Sequence, residues 1–363
     1  MGNVPHLRFP EFSGEWKKCK LGDLCNVLMC KRILVSQTNT EDGVPFYKIG
    51  TIGSTPDAYI SKELFDDYKV KYNYPRKGEV MITCAGTVGK CVVYDGEDAY
   101  FQDSNIVWID NPTQYISNGF LFHLLSKVDW RKLNSTTIIR IYNDDLRNLK
   151  MSYPRKEEQQ KISHLLSLLD ERIATQNKII EKLQSLIKGL AAQLTQSGTP
   201  NIRLCDCLEC HSSTLQENCV SVTGSYPVYG ATGLIGYTNN YAYNGESILI
   251  VKDGSGVGSL SYVNDHFSVI GTLNYLTAKE NYSILYLYYA LMAFNFTPYI
   301  TGMAIPHIYF KDYGKAKLFY PSIEKRIRIA SLLHNIEQKL VVEQNLVISL
   351  SAQKSYLLRM LFI

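Results

Sequence analysis

The sequence has no long hydrophobic run and no segment that resembles an export signal. Its longest apolar run, residues 284–296, is shorter than the roughly 20 residues that a membrane helix needs, so we predict a buried helix there. Residues 1–20 contain no apolar stretch and include the charged residues Arg8, Glu11, Glu15, Lys17 and Lys18, so they predict no signal peptide. These absences predict a cytoplasmic protein whose nine cysteines are reduced thiols.

The sequence also lacks a strong charge of either sign. Its net charge of +4 permits nucleic-acid binding without requiring it, because a dedicated nucleic-acid-binding domain usually carries a larger basic excess. Hydrophobic residues make up 45% and charged residues 20%, which is typical of globular proteins. A length of 363 residues predicts two or more domains of roughly 100–200 residues each.

One cysteine motif matches a cofactor-attachment pattern only in part. Residues 207–211 (CLECH) fit the pattern for haem attachment, and Cys205 and Cys219 lie nearby as candidate zinc ligands. Haem attachment needs an exported chain, and the equivalent residues of the internal repeat described below lack the CxxC spacing. We therefore predict ordinary thiols on a short helix and no metal site.

Other catalytic motifs are incomplete. Residues 86–91 (GTVGKC) resemble the end of a phosphate-binding loop, but Cys84 and Cys91 occupy the positions of its first glycine and its Ser or Thr. Residues 253–258 (DGSGVG) lack the lysine, so both stretches predict glycine turns between strands. Residues 110–113 (DNPT) lack the second proline and the aromatic residue of the adenine methyltransferase motif. The sequence thus predicts no catalytic, metal or cofactor site.

The chain is an internal duplication. Most of the second half repeats the first with a shift of 167 residues, which grows to 183 near the start of each copy. The matched pairs include Ile141 and Ile308, Asp145 and Asp312, Tyr153 and Tyr320, and Ile162 and Ile329. Each copy is therefore expected to be a globular part of roughly 120–150 residues followed by a long helix.

Both predicted long helices carry a coiled-coil seam, in which apolar residues alternate at steps of four and three. In the first helix the seam comprises Ile162, Leu166, Leu169, Ile173, Gln176, Ile180, Leu183, Ile187, Leu190 and Leu194. In the second helix it comprises Ile329, Leu333, Ile336, Leu340, Glu343, Val347, Leu350, Lys354, Leu357 and Leu361.

Two arrangements of these helices are open. The length of the seam favours pairing of the two helices with each other, with the aligned polar residues Gln176 and Glu343 fixing the register. In the alternative, each helix packs only on its own globular part.

The globular parts predict a mixed fold. Short β-like runs lie at 80–83, 92–94, 106–109 and 247–251, and apolar helical segments lie at 120–125 and 286–291. The expected fold class is α+β, with two mixed α/β domains separated by two long antiparallel coiled-coil helices in a pseudo-two-fold repeat. The expected domains are 1–153 and 197–320, with helices at 154–196 and 321–363.

A set of short segments, taken in order along the chain, is typical of one protein family. The segments are 4–12 (VPHLRFPEF) with Trp16, 21–24 (LGDL), 144–154, 157–162 (EEQQKI), 226–233 (YPVYGATG), 253–258 (DGSGVG) and 357–362 (LLRMLF). Together they resemble the specificity subunits of type I restriction–modification enzymes over the whole chain. Residues 324–326 (EKR) depart from the Glu-Gln pair usual in that family, which puts the contacts at the start of the second helix in doubt.

The resemblance implies a division of labour. Each globular part would be a target-recognition domain that reads one half of a bipartite site in double-stranded DNA. The helices would pair antiparallel, set the gap between the half-sites and dock two modification subunits, which methylate adenine with S-adenosylmethionine. Restriction subunits would add translocation and cleavage driven by ATP and Mg²⁺. The chain itself would be a non-catalytic subunit without a cofactor.

Candidate DNA contacts are basic, hydroxyl, amide and aromatic side chains in loops. In the first copy they are Lys31, Arg32, Lys48, Thr87, Lys90, Arg140 and Asn143. In the second copy they are Thr232, Tyr237, Asn239, Lys252, Ser255, His307 and Lys311. Two other functions stay open: a coiled-coil scaffold that binds only protein, and a stand-alone methyltransferase or nuclease.

Overall fold

The computed structural model describes residues 2–132 and 140–363. The chain divides into two compact units: unit 1 comprises residues 1–175 and 347–363, and unit 2 comprises residues 176–346. One part of each long helix belongs to each unit. The domain boundaries expected from the sequence therefore stay a prediction.

Unit 1 contains three small sheets and one part of each long helix. Its strands are β1 (Lys17–Lys20), β2 (Asn26–Leu28), β3 (Val44–Tyr47), β4 (Tyr59–Ile60), β5 (Val80–Thr83), β6 (Cys91–Val93), β7 (Tyr100–Phe101), β8 (Ile106–Asp110) and β9 (Lys150–Tyr153). Its helices are α1 (Lys62–Lys71), α2 (Asn118–Lys127), α3 (Asn143–Arg147) and the first part of α4 (Lys156–Thr195). The sheets have the orders β2-β8-β5-β6, β4-β3-β7 and β1-β9.

Unit 2 is built around one larger sheet. Its strands are β10 (Ile202–Arg203), β11 (Leu208–Ser212), β12 (Tyr226–Gly230), β13 (Gly233–Thr238), β14 (Tyr243–Val251), β15 (Leu260–Val269), β16 (Leu273–Ala278) and β17 (Lys317–Leu318). Its helices are α5 (Leu204–Cys207), α6 (Ile284–Met292), α7 (Phe310–Tyr313) and the first part of α8 (Ile323–Leu361). The large sheet has the order β11-β16-β14-β15-β12-β13, and β10 pairs with β17.

The duplication is visible in the buried helices α2 and α6. Each is capped by a serine: Ser117 accepts a hydrogen bond from the amide of Phe120, and Ser283 accepts one from the amide of Tyr286. Such caps satisfy amide groups that the first helical turn leaves unpaired. Both helices pack into the core of their unit, so the two helical segments expected from the sequence are confirmed.

The long helices pair antiparallel within each unit. In unit 1 the early α4 residues Ile162 and Leu166 share a hydrophobic core with Leu361 near the end of α8. In unit 2 the late α4 residue Ala191 shares a core with Ile329 of early α8. Early residues of one helix therefore meet late residues of the other, and the alternative in which each helix packs only on its own domain is wrong.

The seam positions named in the sequence are all buried or half-buried. Two polar pairs interrupt the apolar contacts: Lys354 donates to Asp170 in unit 1, and Gln176 donates to Glu343 in unit 2. Polar pairs inside a seam restrict the register, because a shifted register would leave their charges and amides without partners.

The prediction that residues 207–211 lie on a short helix is wrong beyond Cys207. Helix α5 ends at Cys207, and Cys210 and His211 lie on strand β11. Strand β11 pairs with β16, where Cys210 faces Leu276 and His211 faces Tyr275. The long-range pairing overrides the local pattern. The strand expected at 92–94 also begins one residue earlier, at Cys91.

Helix α2 carries a buried histidine, His123, whose ring lies against the first long helix in unit 1. The ring of His123 is fully buried, and its Nε2 lies 3.3 Å from the Ser167 hydroxyl. Its Nδ1 lies 3.9 Å from Oδ2 of Asp170, and the other oxygen of that carboxylate, Oδ1, accepts a hydrogen bond from Lys354. Burial lowers the pKa of the His123 imidazole to about 4, and the positive charge of Lys354 acts in the same direction against the opposing effect of Asp170.

We expect this histidine to make unit 1 less stable in acid. The unfolded chain protonates His123 near pH 6.5 and the folded chain only near pH 4, so stability is full above pH 6.5 and falls as the pH drops through this window. Between pH 7 and pH 5 the free energy of unfolding of the wild type should fall by about 2 kcal/mol more than that of the His123→Gln variant. Urea unfolding at a series of pH values measures this difference. The control is His164→Gln, at a histidine that is exposed. If the free energy of unfolding of His123→Gln depended on pH as that of the wild type does, the expectation would be contradicted.

Candidate nucleic-acid interface

In unit 1, several loops meet where strand β5 ends. The hairpin loop 84–90 joins β5 to β6, as expected for a glycine turn between strands. Within it, Gly89 has φ +83°, and a Cβ there would lie 2.2 Å from the Trp130 ring, so only glycine fits. Cys84 donates its amide to Asn105 over 2.7 Å and accepts the amide of Ile141 over 2.9 Å. These bonds bring chain segments that are far apart in sequence to one place.

Three of the predicted DNA contacts gather around loop 84–90. Thr87 is exposed in the loop. Lys90 donates to the carbonyl of Ile52, and Arg140 donates to the carbonyl of Ser104 over 3.4 Å. The cluster thus combines a hydroxyl group and two cations, which are groups that contact phosphates and base edges.

The other predicted residues of unit 1 have different surroundings. Lys48 follows β3 and forms a 2.9 Å ion pair with Asp57. The Lys31 ammonium lies 5.4 Å from the centre of the Tyr72 ring. Arg32 is exposed, and Asn143 is the first residue of α3.

Unit 2 repeats this loop arrangement. Loop 252–259 joins β14 to β15, and the Gly258 amide donates to Val251 over 2.8 Å, as the Gly89 amide does to Thr83 in unit 1. Lys252 accepts the amide of Ile308 over 3.0 Å, which corresponds to the bond between Cys84 and Ile141. The shared backbone bonds identify the two loop clusters as equivalent positions of the repeat.

The loop 301–307 lies beside this hairpin loop. Thr301 and His307 exchange two backbone hydrogen bonds of 2.9 and 2.8 Å, and Gly254 donates to Pro306 over 2.9 Å. The structure therefore brings the predicted residues Lys252 and His307 together, with Ser255 exposed in the hairpin loop and Lys311 following in α7. The unit 1 residues equivalent to 301–306 are residues 134–139, which lie outside the described residues.

The remaining predicted residues of unit 2 lie on or beside the hairpin of β12 and β13. Thr232 lies in the turn between β12 and β13, and Tyr237 lies on β13. Asn239 follows that strand and lines a cavity of about 520 Å³ together with Ser213, Thr223, Asn240 and other mostly polar residues. Sequence reasoning missed the polar residues of this cavity other than Asn239, since they come from separate loops.

The basic residues in the globular segment 197–320 of unit 2 are concentrated locally. Residues 197–320 contain six Lys or Arg against eight Asp or Glu. Three of those six, Lys311, Lys315 and Lys317, lie within seven residues, and Lys252 is joined to the same segment through Ile308. A locally positive surface can therefore form on the globular segment 197–320, although the net charge of that segment is negative.

In the incomplete methyltransferase motif at residues 110–113, the asparagine side chain forms hydrogen bonds within the protein. Asn111 of the DNPT stretch is buried and donates to Ile116 over 2.6 Å and to Asn118 over 2.9 Å.

Over residues 2–132 and 140–363, no group of three or more His, Cys, Asp or Glu side chains is placed to hold a metal ion. Within the same residues, no helix combines the length and the apolar character needed to cross a membrane.

Comparison with known proteins places these units in a family. The model of the type I restriction modification DNA specificity domain matches residues 13–185 and 202–350. The chain belongs to this family. The two matches cover both copies of the repeat, so each unit contains most of one specificity domain.

Relatives within the family are similar over part of their length. A putative type I restriction enzyme specificity subunit of Haemophilus influenzae is 48% identical over 172 residues, which are 47% of this chain and 44% of that protein. The EcoprrI specificity subunit of Escherichia coli is 28% identical over 31% of this chain and 28% of that protein. The matched regions span less than half of each of these relatives.

Solved structures share the fold. The S subunit of a type I restriction–modification system from M. genitalium matches with a TM-score of 0.70 over 99% of both chains, at 18% identity. A chain from a structure on complex assembly and conformational transition of the type I system matches with a TM-score of 0.52 over 98% of both chains, at 16% identity. The α+β fold with two repeated domains and long antiparallel helices is thereby confirmed.

Proposed function

We propose that this chain is the DNA-reading subunit of a type I restriction–modification complex and that each unit recognises one half of a bipartite site. The observation that carries the proposal is the loop cluster that is built twice, once around loop 84–90 and once around loop 252–259. Two equivalent clusters on one chain suit a target that is contacted at two places.

Within each unit, we assign the cationic side chains to phosphate contacts and the polar side chains to base contacts. Lys90 and Arg140 in unit 1, and Lys252 and Lys311 in unit 2, supply charge for phosphate groups. Hydroxyl and amide groups such as Thr87, Ser255 and Asn239 suit the donors and acceptors of base edges. The remaining predicted contacts are Lys31, Arg32, Lys48, Asn143, Thr232, Tyr237 and His307.

The long helices are the proposed docking surface for two modification subunits. On α8, the exposed residues Ile327, Val341 and Ile348 are separated by multiples of seven residues, so they lie along one side of the helix. The half-buried His334 lies between the first two of them, so they are separate exposed apolar residues, and exposed apolar residues on a helix whose opposite side is already buried suit a protein partner. The modification subunits would hold S-adenosylmethionine, and restriction subunits would hold ATP and Mg²⁺.

We expect that the purified chain does not methylate DNA and that a modification subunit supplies this activity. Transfer of a labelled methyl group from S-adenosylmethionine to adenine should be at background for either protein alone and should appear when they are mixed. Mapping the methylated adenines should then reveal one bipartite sequence. Methylation by the purified chain alone would favour the stand-alone methyltransferase. A mixture whose DNA binding ignores sequence would favour the protein-only scaffold.

A further inference from the structure

An exposed tyrosine occupies the same position in both copies of the repeat. Tyr142 is 62% exposed and Tyr309 is 48% exposed. They align under the 167-residue shift, and each has extended backbone angles immediately before a short helix, α3 or α7. The preceding residues Ile141 and Ile308 are both buried, at 2% and 1% exposure. Packing explains why the isoleucines are alike, but it does not explain the likeness of the exposed tyrosines.

Each tyrosine ring has a cation or a histidine beside it. The Arg140 guanidinium lies 5.9 Å from the centre of the Tyr142 ring. In unit 2 the Lys311 ammonium lies 5.1 Å from the centre of the Tyr309 ring, and the ring centres of His307 and Tyr309 are 5.0 Å apart. Arg140 and His307 are themselves aligned residues of the repeat. A phenol hydroxyl and a positively charged side chain beside the same ring can bind an anion together.

Acidic neighbours in unit 1 are already engaged with the protein. Asp145 accepts the backbone amide of Tyr142 over 2.8 Å. Asp144 forms a 3.3 Å ion pair with Arg147. In unit 2, Lys311 takes the position of Asp144, which makes that copy more positive. In unit 1 both carboxylates therefore have partners within the protein.

The repetition indicates what the anion is. The two units are expected to read different bases, so a feature kept exposed in both should contact something that both half-sites share. The sugar–phosphate backbone is common to every DNA sequence, and phosphate contacts fix position without reading bases. Both tyrosines lie beside the loop clusters assigned to DNA, through the bonds from Ile141 to Cys84 and from Ile308 to Lys252.

We propose that Tyr142 with Arg140, and Tyr309 with His307 and Lys311, are two equivalent phosphate contacts that position each unit on DNA independently of sequence. This inference rests on the proposed function. It separates these residues from the base-reading residues: their loss weakens binding to all DNA and leaves the preferred sequence unchanged.

The test uses the complete chain in complex with its modification subunits. Dissociation constants are measured for a duplex that contains the methylated sequence and for a scrambled duplex, over a range of salt concentrations. Tyr142→Phe and Tyr309→Phe remove only the hydroxyl groups and should each weaken binding to both duplexes about tenfold. Lys311→Gln should also lower the slope of log K against log salt by about 0.9. Tyr115→Phe, at a tyrosine that is 64% exposed in unit 1, is the matched control and should bind as wild type.

Three results would overturn the inference. Tyrosine variants that bind both duplexes like wild type would exclude a DNA contact. Weaker binding to the methylated sequence alone would make these residues base readers. Impaired assembly with the modification subunits, with normal DNA binding by the complexes that do form, would identify a protein contact. The proposed function fails separately, if the wild-type complex shows no preference between the two duplexes.

Discussion

Exchanging residues 1–153 for the matching segment of another family member is expected to replace one half of the recognised DNA site and leave the other half unchanged. The segment contains the loop cluster around residues 84–90, and it contains neither the loop 252–259 nor the cavity at Asn239. The effect should be complete for one half-site, because every proposed DNA contact of unit 1 is exchanged at once. Mapping methylated adenines in a genome that expresses the chimera with its modification subunit measures the result.

The junction of this chimera needs a matched control. Gln159 of α4 is fully buried, accepts the amide of Ser117 over 2.7 Å and donates to Tyr115 over 2.9 Å. Leu361 of α8 lies in the same core. A second chimera should therefore exchange 1–175 and 347–363 together, which keeps the whole core of unit 1 from one parent. If either folded chimera changes both half-sites, or neither, the units do not read DNA independently.

Lengthening both long helices by one heptad is expected to lengthen the spacer between the half-sites. Seven residues inserted after Thr175 and seven before Val347 keep the phase of the seam and add about 10 Å to each helix. Since DNA rises about 3.4 Å per base pair, the preferred spacer should grow by at most about three base pairs. The measurement is methylation of a set of sites that differ only in spacer length.

A two-residue insertion at the same two positions provides the control. It rotates the part of each helix beyond the insertion by about 200° relative to the part before it. The seam can then face the partner helix on only one side of the insertions, and on the other side the seam residues turn toward solvent. We expect this variant to lose solubility or partner binding rather than to shift the spacer. A heptad variant that stays active on sites with the original spacer would show that the helices do not set the gap.

The sequence by itself determined the duplication, the two long helices and their seams. These features depend on local periodicity: a step of four and three residues marks one side of a helix whatever lies opposite, and α4 and α8 begin and end close to where the pattern does. The hairpins around loops 84–90 and 252–259 were also predictable, because glycines between β-rich runs have few other uses. The family likeness in ordered motifs added the expectation of DNA.

Only the tertiary structure decided which residues meet. Cys84 is bonded to both Asn105 and Ile141, and no local pattern connects those positions. Cys210 and His211 lie on a strand because β16, more than 60 residues away, supplies their hydrogen bonds. The exposure of the Tyr142 and Tyr309 side chains could not be predicted from the sequence either, because two aligned tyrosines fit a core position as well as a surface position. Sequence periodicity records the side of an element that is buried, whereas the grouping of loops depends on hydrogen bonds between distant segments, which leave no periodic signal.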